Sequence, residues 1–321
     1  MQRFWPTLFC FLCFINIALA DDDFEFGIIF PKAEIINEHT ARIPFKLIDH
    51  LIVIEAQILD KNGNFIIDTG SEALILNQAH FPNTYPFYKK RQETSGVIGN
   101  IDGSMERKVE EFFIKTLSLQ NKVSDIIDLS HIEKSKRMNL LGTIGFDILK
   151  DYEVFIDLYL NQITLSKVDA NGDKLDKNIY LEKITDSVDF KLKSHSIVIK
   201  ADLNGETLSF ALDSAAELNQ INSSVNKKAL KYFIPTKRLK LNGASKRNVE
   251  VLAGKLHRVK LNDDVYFGPM YTILTNLSQL KQAFGVNIDG IFGYEFLKQK
   301  RTIINYQKEK LYFVAMPVTS P

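Results

Sequence analysis

Residues 52–77 align with residues 197–222 without a gap, at a constant offset of 145. Ile52-Val53-Ile54-x-Ala56 matches Ile197-Val198-Ile199-x-Ala201, Phe65-x-x-Asp68 matches Phe210-x-x-Asp213, Glu72 matches Glu217, and Asn77 matches Asn222. A second block, Gly142-Thr143-Ile144-Gly145-Phe146-Asp147-Ile148-Leu149, aligns with Gly290-Ile291-Phe292-Gly293-Tyr294-Glu295-Phe296-Leu297 at an offset of 148. It runs on into Ile156-Asp157 against Ile304-Asn305, and Ile163-Thr164-Leu165 against Leu311-Tyr312-Phe313. Two blocks in the same order imply a duplicated unit, so the fold has to place two like halves in one molecule. A chain of 321 residues already favours more than one core.

Within each half the pattern is mainly β. Segments 56–59, 64–67, 111–114 and 154–156 are short, β-branched or aromatic, and bounded by turn residues. Short helices are expected at 148–150, 296–298 and 277–284. The expected fold class is all-β, with two homologous small β-barrel lobes related by a pseudo-two-fold axis. The expected bounds are a lead-in segment over 21–41, a first lobe over 42–168, a linker over 169–185 and a second lobe over 186–316. The linker holds Asp169-x-Asn171-x-Asp173, which lacks the turn glycine and the terminal Glu of a calcium loop and reads as an Asn-Gly turn.

Phe65-Ile66-Ile67-Asp68-Thr69-Gly70-Ser71 sets a carboxylate immediately after an apolar strand, where an acid is costly unless it is hydrogen-bonded or shares a proton. The other half supplies a partner in Phe210-Ala211-Leu212-Asp213-Ser214-Ala215-Ala216. Two such Asp residues meeting at a pseudo-two-fold axis hold one proton between them. One carboxylate then activates a water and the other protonates the scissile amide.

Hydrophobic-hydrophobic-Asp-Thr-Gly-Ser followed by Gly-x-x-Gly-x-Asp-x-Leu resembles the pepsin/retropepsin clan of aspartic peptidases. The short lobes and the Gly-x-x-Gly turns are closer to retropepsin-like domains than to full pepsins. The segment Ile43-Pro44-Phe45-Lys46-Leu47-Ile48 is similar to that of exported bacterial members with two fused lobes. The resemblance implies acid-protease lobes, with Asp68 and Asp213 as the catalytic acids. It further implies that the hydroxyls of Thr69 and Ser214 lock the two loops together, and that the N–H groups of Gly70 and Ala215 face the carboxylates. Glu72 and Glu217 match an acidic position that contacts substrate backbone. The glycine-punctuated stretch around Gly96 and Gly99 is expected as either the flap or an ordinary hairpin, and 241–245, its counterpart in the second half, reads the same two ways. The second motif departs from the pattern: Asp-Ser-Ala stands where Asp-Ser-Gly or Asp-Thr-Gly is usual. A Ser71 hydroxyl near Asp68, with no equivalent at Ala216, is expected to favour the ionised form of Asp68. The alternative reading is a catalytically silent peptide-binding or inhibitor-like protein on the same two-lobed fold.

Other chemistries find no motif. There is no His-Glu-x-x-His, Gly-x-Ser-x-Gly, Walker loop or Gly-x-Gly-x-x-Gly, and no zinc-type spacing among the histidines, so no metal or organic cofactor is expected. His195 and His257 read as surface or satisfied strand residues. Residues 1–20 combine Arg3, a short apolar run and Ala18-Leu19-Ala20, which describes a cleavable secretory signal. Both cysteines, Cys10 and Cys13, lie within it, so a thiol nucleophile is excluded from the mature chain. The protein is therefore expected to be secreted or periplasmic and monomeric, with an extended polypeptide as its partner. The near-even balance of 40 Lys and Arg against 39 Asp and Glu offers no electrostatic reason to expect nucleic acid or a membrane surface.

Overall fold

The computed structural model describes residues 34–81, 88–89, 94–96, 99–101, 105–114, 117–177, 182–242, 248–277 and 287–316. The expected signal and most of the expected helix at 277–284 lie outside them. Its strands assemble into one sheet for each half, a third sheet built from both, and a small separate ribbon.

In the first half the strands Leu51–Ile58, Lys61–Ile67, Leu140–Ile144, Leu74–Asn77, Leu117–Ile127 and Met105–Ile114 follow one another around a barrel. Phe112 pairs with Ile58 and Phe113 with Gln57, which closes it. The second half repeats the order with Ser196–Leu203, Glu206–Leu212, Gly290–Phe292, Asn219–Asn222, Met270–Thr275 and Asn248–Leu256. Here closure runs through Val259–Lys260, which pairs with Asp202 and Leu203. In both halves the strand that ends at the motif Asp lies parallel to the strand that enters the Gly-x-x-Gly turn. Alternate residues of these strands point inward, so Ile54, Phe65, Ile67 and Phe112 fill one barrel, while Ile199, Phe210, Leu212 and Phe292 fill the other. The Phe210 and Phe292 rings stack at 4.0 Å. Truncating one such buried ring costs about 3–5 kcal/mol.

The third sheet was not foreseen from the sequence. It runs Glu34–Asn37, Thr40–Pro44, Gln162–Lys167, Tyr152–Asp157, Arg301–Asn305, Lys310–Val314, Ile184–Asp189, so both halves contribute to it. Residues 34–41, expected as lead-in, form one edge, and Ile184–Asp189, which starts inside the expected linker, forms the other. At its centre Tyr152–Asp157 pairs with Arg301–Asn305, and Glu153 stands opposite Asn305. Asn305 donates to Glu153 at 3.1 Å, and the buried Arg301 donates to Asp157 through both Nε and Nη2, at 3.0 and 2.6 Å. By the offset of 148, Glu153 corresponds to Arg301 and Asp157 to Asn305. The two contacts are thus the same pair of positions met twice about the pseudo-two-fold.

The helices expected at 148–150 and 296–298 are Phe146–Leu149 and Tyr294–Leu297, each starting one residue after the second glycine of its turn. A helix at Ser130–Lys136, absent from the sequence expectations, lies in the first half. The Asn171-Gly172 turn forms as expected, with Asp169 accepting the N–H groups of Asn171 and Asp173 and Gly172 at φ 78°.

Candidate active site

Asp68 and Asp213 leave the ends of two parallel-paired strands and meet at the junction of the halves. The N–H of Asp68 donates to Ile144 O at 3.0 Å and that of Asp213 to Phe292 O at 2.9 Å, so each Gly-x-x-Gly strand pins its own acid. Four hydrogen bonds then cross between the halves. Thr69 N donates to Ser214 Oγ at 3.0 Å and Ser214 N to Thr69 Oγ1 at 2.9 Å. Thr69 Oγ1 donates to Leu212 O at 3.1 Å and Ser214 Oγ to Ile67 O at 2.7 Å. Both hydroxyl residues are fully buried, so each bond is made where its loss would leave a dry, unpaired group.

The carboxylates accept from the main chain. Asp68 Oδ1 takes the N–H groups of Gly70 and Ser71 at 2.9 and 3.1 Å, and Asp213 Oδ1 takes that of Ala215 at 2.8 Å. Burial raises the Asp68 carboxyl, and the nearby Asp213 charge raises it further, to about 8. Burial also raises Asp213, against the pull of the N–H groups of Ala215 and Ala216. Two buried acids in this position hold one proton between them rather than ionising together.

The expected role of the Ser71 hydroxyl needs correction. Its Oγ lies 3.4 and 3.5 Å from the main-chain carbonyls of Asp68 and Ala73, which compete for its one hydrogen, and it makes no bond to the carboxylate. Ser71 serves Asp68 through its N–H, a group that Ala216 also possesses, so the hydroxyl gives no ground for placing the charge on Asp68.

Gly70 and Ala215 occupy matching positions with different neighbours. A Cβ at Gly70 would come within 2.7 Å of Asp213 Cγ. The Ala215 side chain instead packs against an apolar cluster of the first half that includes Leu51, Val53 and Leu140. Neither residue has positive φ, so alanine meets no backbone penalty at 215. The turn glycines are fixed by close approach: a Cβ at Gly293 would sit 2.2 Å from Ala216 O, and one at Gly145 would sit 2.5 Å from Ala73 O.

Glu72 and Glu217 each face a basic side chain of the opposite half. Lys136 Nζ, on the helix Ser130–Lys136, reaches Glu217 at 2.6 Å and Asp49 at 3.2 Å. Burial disfavours its charge, but Glu217 and Asp49 outweigh that and raise the ammonium above its ordinary value. His195 Nδ1 lies 3.7 Å from Glu72. Burial lowers the imidazole, against the pull of Glu72, Asp147 and the main chain of Gly70. His195, expected as a surface or satisfied strand residue, is half-buried in a turn and abuts the Asp-Thr-Gly loop. His50, its equivalent at the 145 offset, stacks on Tyr294 of the other half, with ring centroids 4.4 Å apart. The signal was present in the repeat, since the two histidines stand at matching positions two residues ahead of the aligned block. Lys136 carried no such signal.

Gly96 and Gly99 face each other in the ribbon formed by Thr94–Gly96 and Gly99–Ile101, which pairs with no other described strand. Residues 97–98, 102–103 and 243–245 of the expected flaps lie outside the described residues. Among the described residues no cluster of His, Cys, Asp or Glu is arranged to hold a metal, and no helix is long and apolar enough to cross a membrane.

Residues 51–157 match the family model described as retroviral aspartyl protease. A search of curated protein sequences finds no match. Among solved structures the chain is similar to the aspartic proteinase from Irpex lacteus. That similarity has a TM-score of 0.50 at 12% identity, over 88% of this chain and 98% of that one. The first half thus matches a retroviral aspartyl protease domain by sequence, and the chain as a whole has the fold of a pepsin-like aspartic proteinase.

Proposed function

We propose that the protein is an aspartic endopeptidase that hydrolyses peptide bonds with a water activated between Asp68 and Asp213. The observation that carries this reading is the carboxylate pair, Asp213 buried and Asp68 half-buried, held in register by reciprocal Thr69 and Ser214 hydrogen bonds. In the singly protonated pair the ionised member takes a proton from water as its oxygen attacks the scissile carbonyl carbon. The protonated member neutralises the developing oxyanion. Transfer of a proton to the amide nitrogen then lets the C–N bond break, which releases a carboxylic acid and an amine. Preorganised N–H groups at both carboxylates remove the cost of reorienting dipoles during the step.

An extended polypeptide is the substrate, entering between halves that we read as products of a duplication, in a monomer exported by the signal at residues 1–20. Amino-terminal sequencing of the exported protein should begin near Asp21. For the reaction, Asp68→Asn and Asp213→Asn should each lower turnover of an unfolded polypeptide by at least ~10²-fold. The Ala215-Ala216 pair favours a second reading, a silent peptide-binding protein. Equal behaviour of wild type and both variants across the whole pH range would decide for it.

A further inference from the structure

The overall charge balance conceals a local excess. Residues 227–260 carry eleven Lys and Arg against a single acid, Glu250, while the remainder of the chain has 29 basic against 38 acidic residues. The fold gathers this stretch at one edge of the second half, in the 3-10 turn Lys227–Tyr232, the strand Phe233–Asn242 and its partner Asn248–Leu256. Lys231, Lys237, Arg238, Lys240, Lys255 and Arg258 are all exposed there. Among the described residues only Arg238 of these six meets an acid, Glu250 at 3.2 Å. Arg258 and Lys231 lie over the Tyr232 ring at 4.5 and 5.4 Å, and Lys237 lies 5.9 Å from the Tyr271 ring. Like charges so close together repel, and an anionic partner relieves that repulsion.

The same edge is also open. Among the described residues Phe233–Asn242 is the terminal strand of its sheet, paired on one side only by Asn248–Leu256. This strand is ten residues long. An open edge of that length presents a row of main-chain donors and acceptors to any further strand. Ile234, 56% exposed, adds an apolar contact within the row. Leu239 of this strand and Leu218, the residue after Glu217, pack against the same cluster of Val251, Ala253 and Ile273.

We propose that the free edge of Phe233–Asn242 is a docking strand for acidic, extended segments of the polypeptide substrate, an inference that rests on the peptidase reading. Main-chain pairing supplies the affinity and the cations select Glu and Asp at alternate positions. The same lysines make pairing between two copies of this edge unfavourable, so the edge accepts an acidic strand and rejects its own kind. A polypeptide fits better than a nucleic acid: the Tyr232 face that could stack a base is already covered by Arg258 and Lys231.

The test uses Asp68→Asn protein, which isolates binding from cleavage, and a fluorescent ten-residue peptide alternating Glu with Val. Fluorescence anisotropy should give about tenfold tighter binding than for the Gln-for-Glu peptide at low salt. The difference should collapse in about 0.5 M salt. Combining Lys237→Glu, Arg238→Glu and Lys240→Glu should abolish it, and N-methylating alternate amides of the Glu peptide should weaken binding comparably. In the otherwise wild-type enzyme, the ratio of kcat/KM for a substrate with an acidic flank to one with a neutral flank should fall from about ten to about one in the same triple variant. Equal binding of the N-methylated peptide, of a single-stranded oligonucleotide of matched charge, or of anionic phospholipid vesicles would overturn the proposal. Binding by Asp68→Asn protein without any cleavage by wild type would sink the peptidase reading and leave the docking strand standing. Cleavage without preference for the acidic flank would do the reverse.

Discussion

The Asp68-Thr69-Gly70-Ser71 loop and the Asp213-Ser214-Ala215-Ala216 loop carry the same scaffold and differ in what surrounds it. In both, the acid's N–H is taken by a carbonyl of the neighbouring Gly-x-x-Gly strand, and the hydroxyl residue crosses to the other half. In both, the fourth residue's carbonyl accepts the first N–H of the short helix, Phe146 N at 2.9 Å and Tyr294 N at 2.9 Å. The difference lies at the third residue. Gly70 is pressed towards the opposite carboxylate, while Ala215 leans on apolar side chains of the first half. One residue type at equivalent positions therefore carries unequal steric cost, and the departure from the usual motif falls on the side that can hold a methyl group.

Gly70→Ala is the sharpest way to break this comparison. Its methyl displaces Asp213, and a displacement of that order should lower kcat by about 10²-fold. Ala215→Gly should leave kcat within about threefold, since it removes a methyl group the site has already accommodated. Equal losses in steady-state assays of the two variants would show that the loops are sterically alike. Next in size, Thr69→Val and Ser214→Ala each strip two buried bonds and should each lower unfolding free energy by about 2–4 kcal/mol in urea titrations. Because the two hydroxyls answer each other, the double variant should lose less than the sum.

The carboxyl pair also ties stability to pH. Folding raises Asp68 from 3.8 to about 8, so the native state binds the extra proton. The contribution of this group to stability should then be full below pH ~4, be lost as pH rises, and level off above ~8, because here the unfolded chain binds fewer protons over that interval. A thermal melting series should show this slope in wild type and a flatter one in Asp68→Asn. The smallest effect expected is at the cross-half ion pairs. Lys136→Met should cost about 1 kcal/mol independently of pH between 5 and 9, given that Glu217 is partly solvated. His195→Gln should matter only on the acid side, where the imidazole carries charge beside Glu72.

The repeat made the barrels and the position of both acids legible, because strand period, turn glycines and buried carboxylates are local signals that a duplicated pattern doubles. The shared central sheet was not legible. Tyr152–Asp157 and Arg301–Asn305 each look like an ordinary strand of their own half, and only tertiary pairing joins them. Ser71 misled for a related reason: its proximity in sequence to Asp68 says nothing of where its rotamer sends the hydroxyl. Lys136 was invisible because its partner Glu217 lies far along the chain, and the basic edge was masked by an average taken over the whole charge count.

The central sheet also sets the order in which the molecule can be finished during synthesis. Val154 has Leu165 beside it early but gains its second neighbour only when Ile304 has been made, and Ile184–Asp189 waits for Lys310–Val314. A nascent first half can close its barrel around Phe65 and Phe112 and pair Tyr152–Asp157 with Gln162–Lys167, but the other side of Tyr152–Asp157 stays an open edge until nearly the whole chain has left the ribosome. The pairings of greatest sequence separation come last, and they are the ones that bring the two acids together. A carboxylate pair divided between the two halves cannot assemble on a partial chain, so any hydrolytic capacity is withheld until translation is almost complete. Ribosome-stalled chains ending near residue 290 should accordingly be protease-resistant in their first barrel and inert towards peptides.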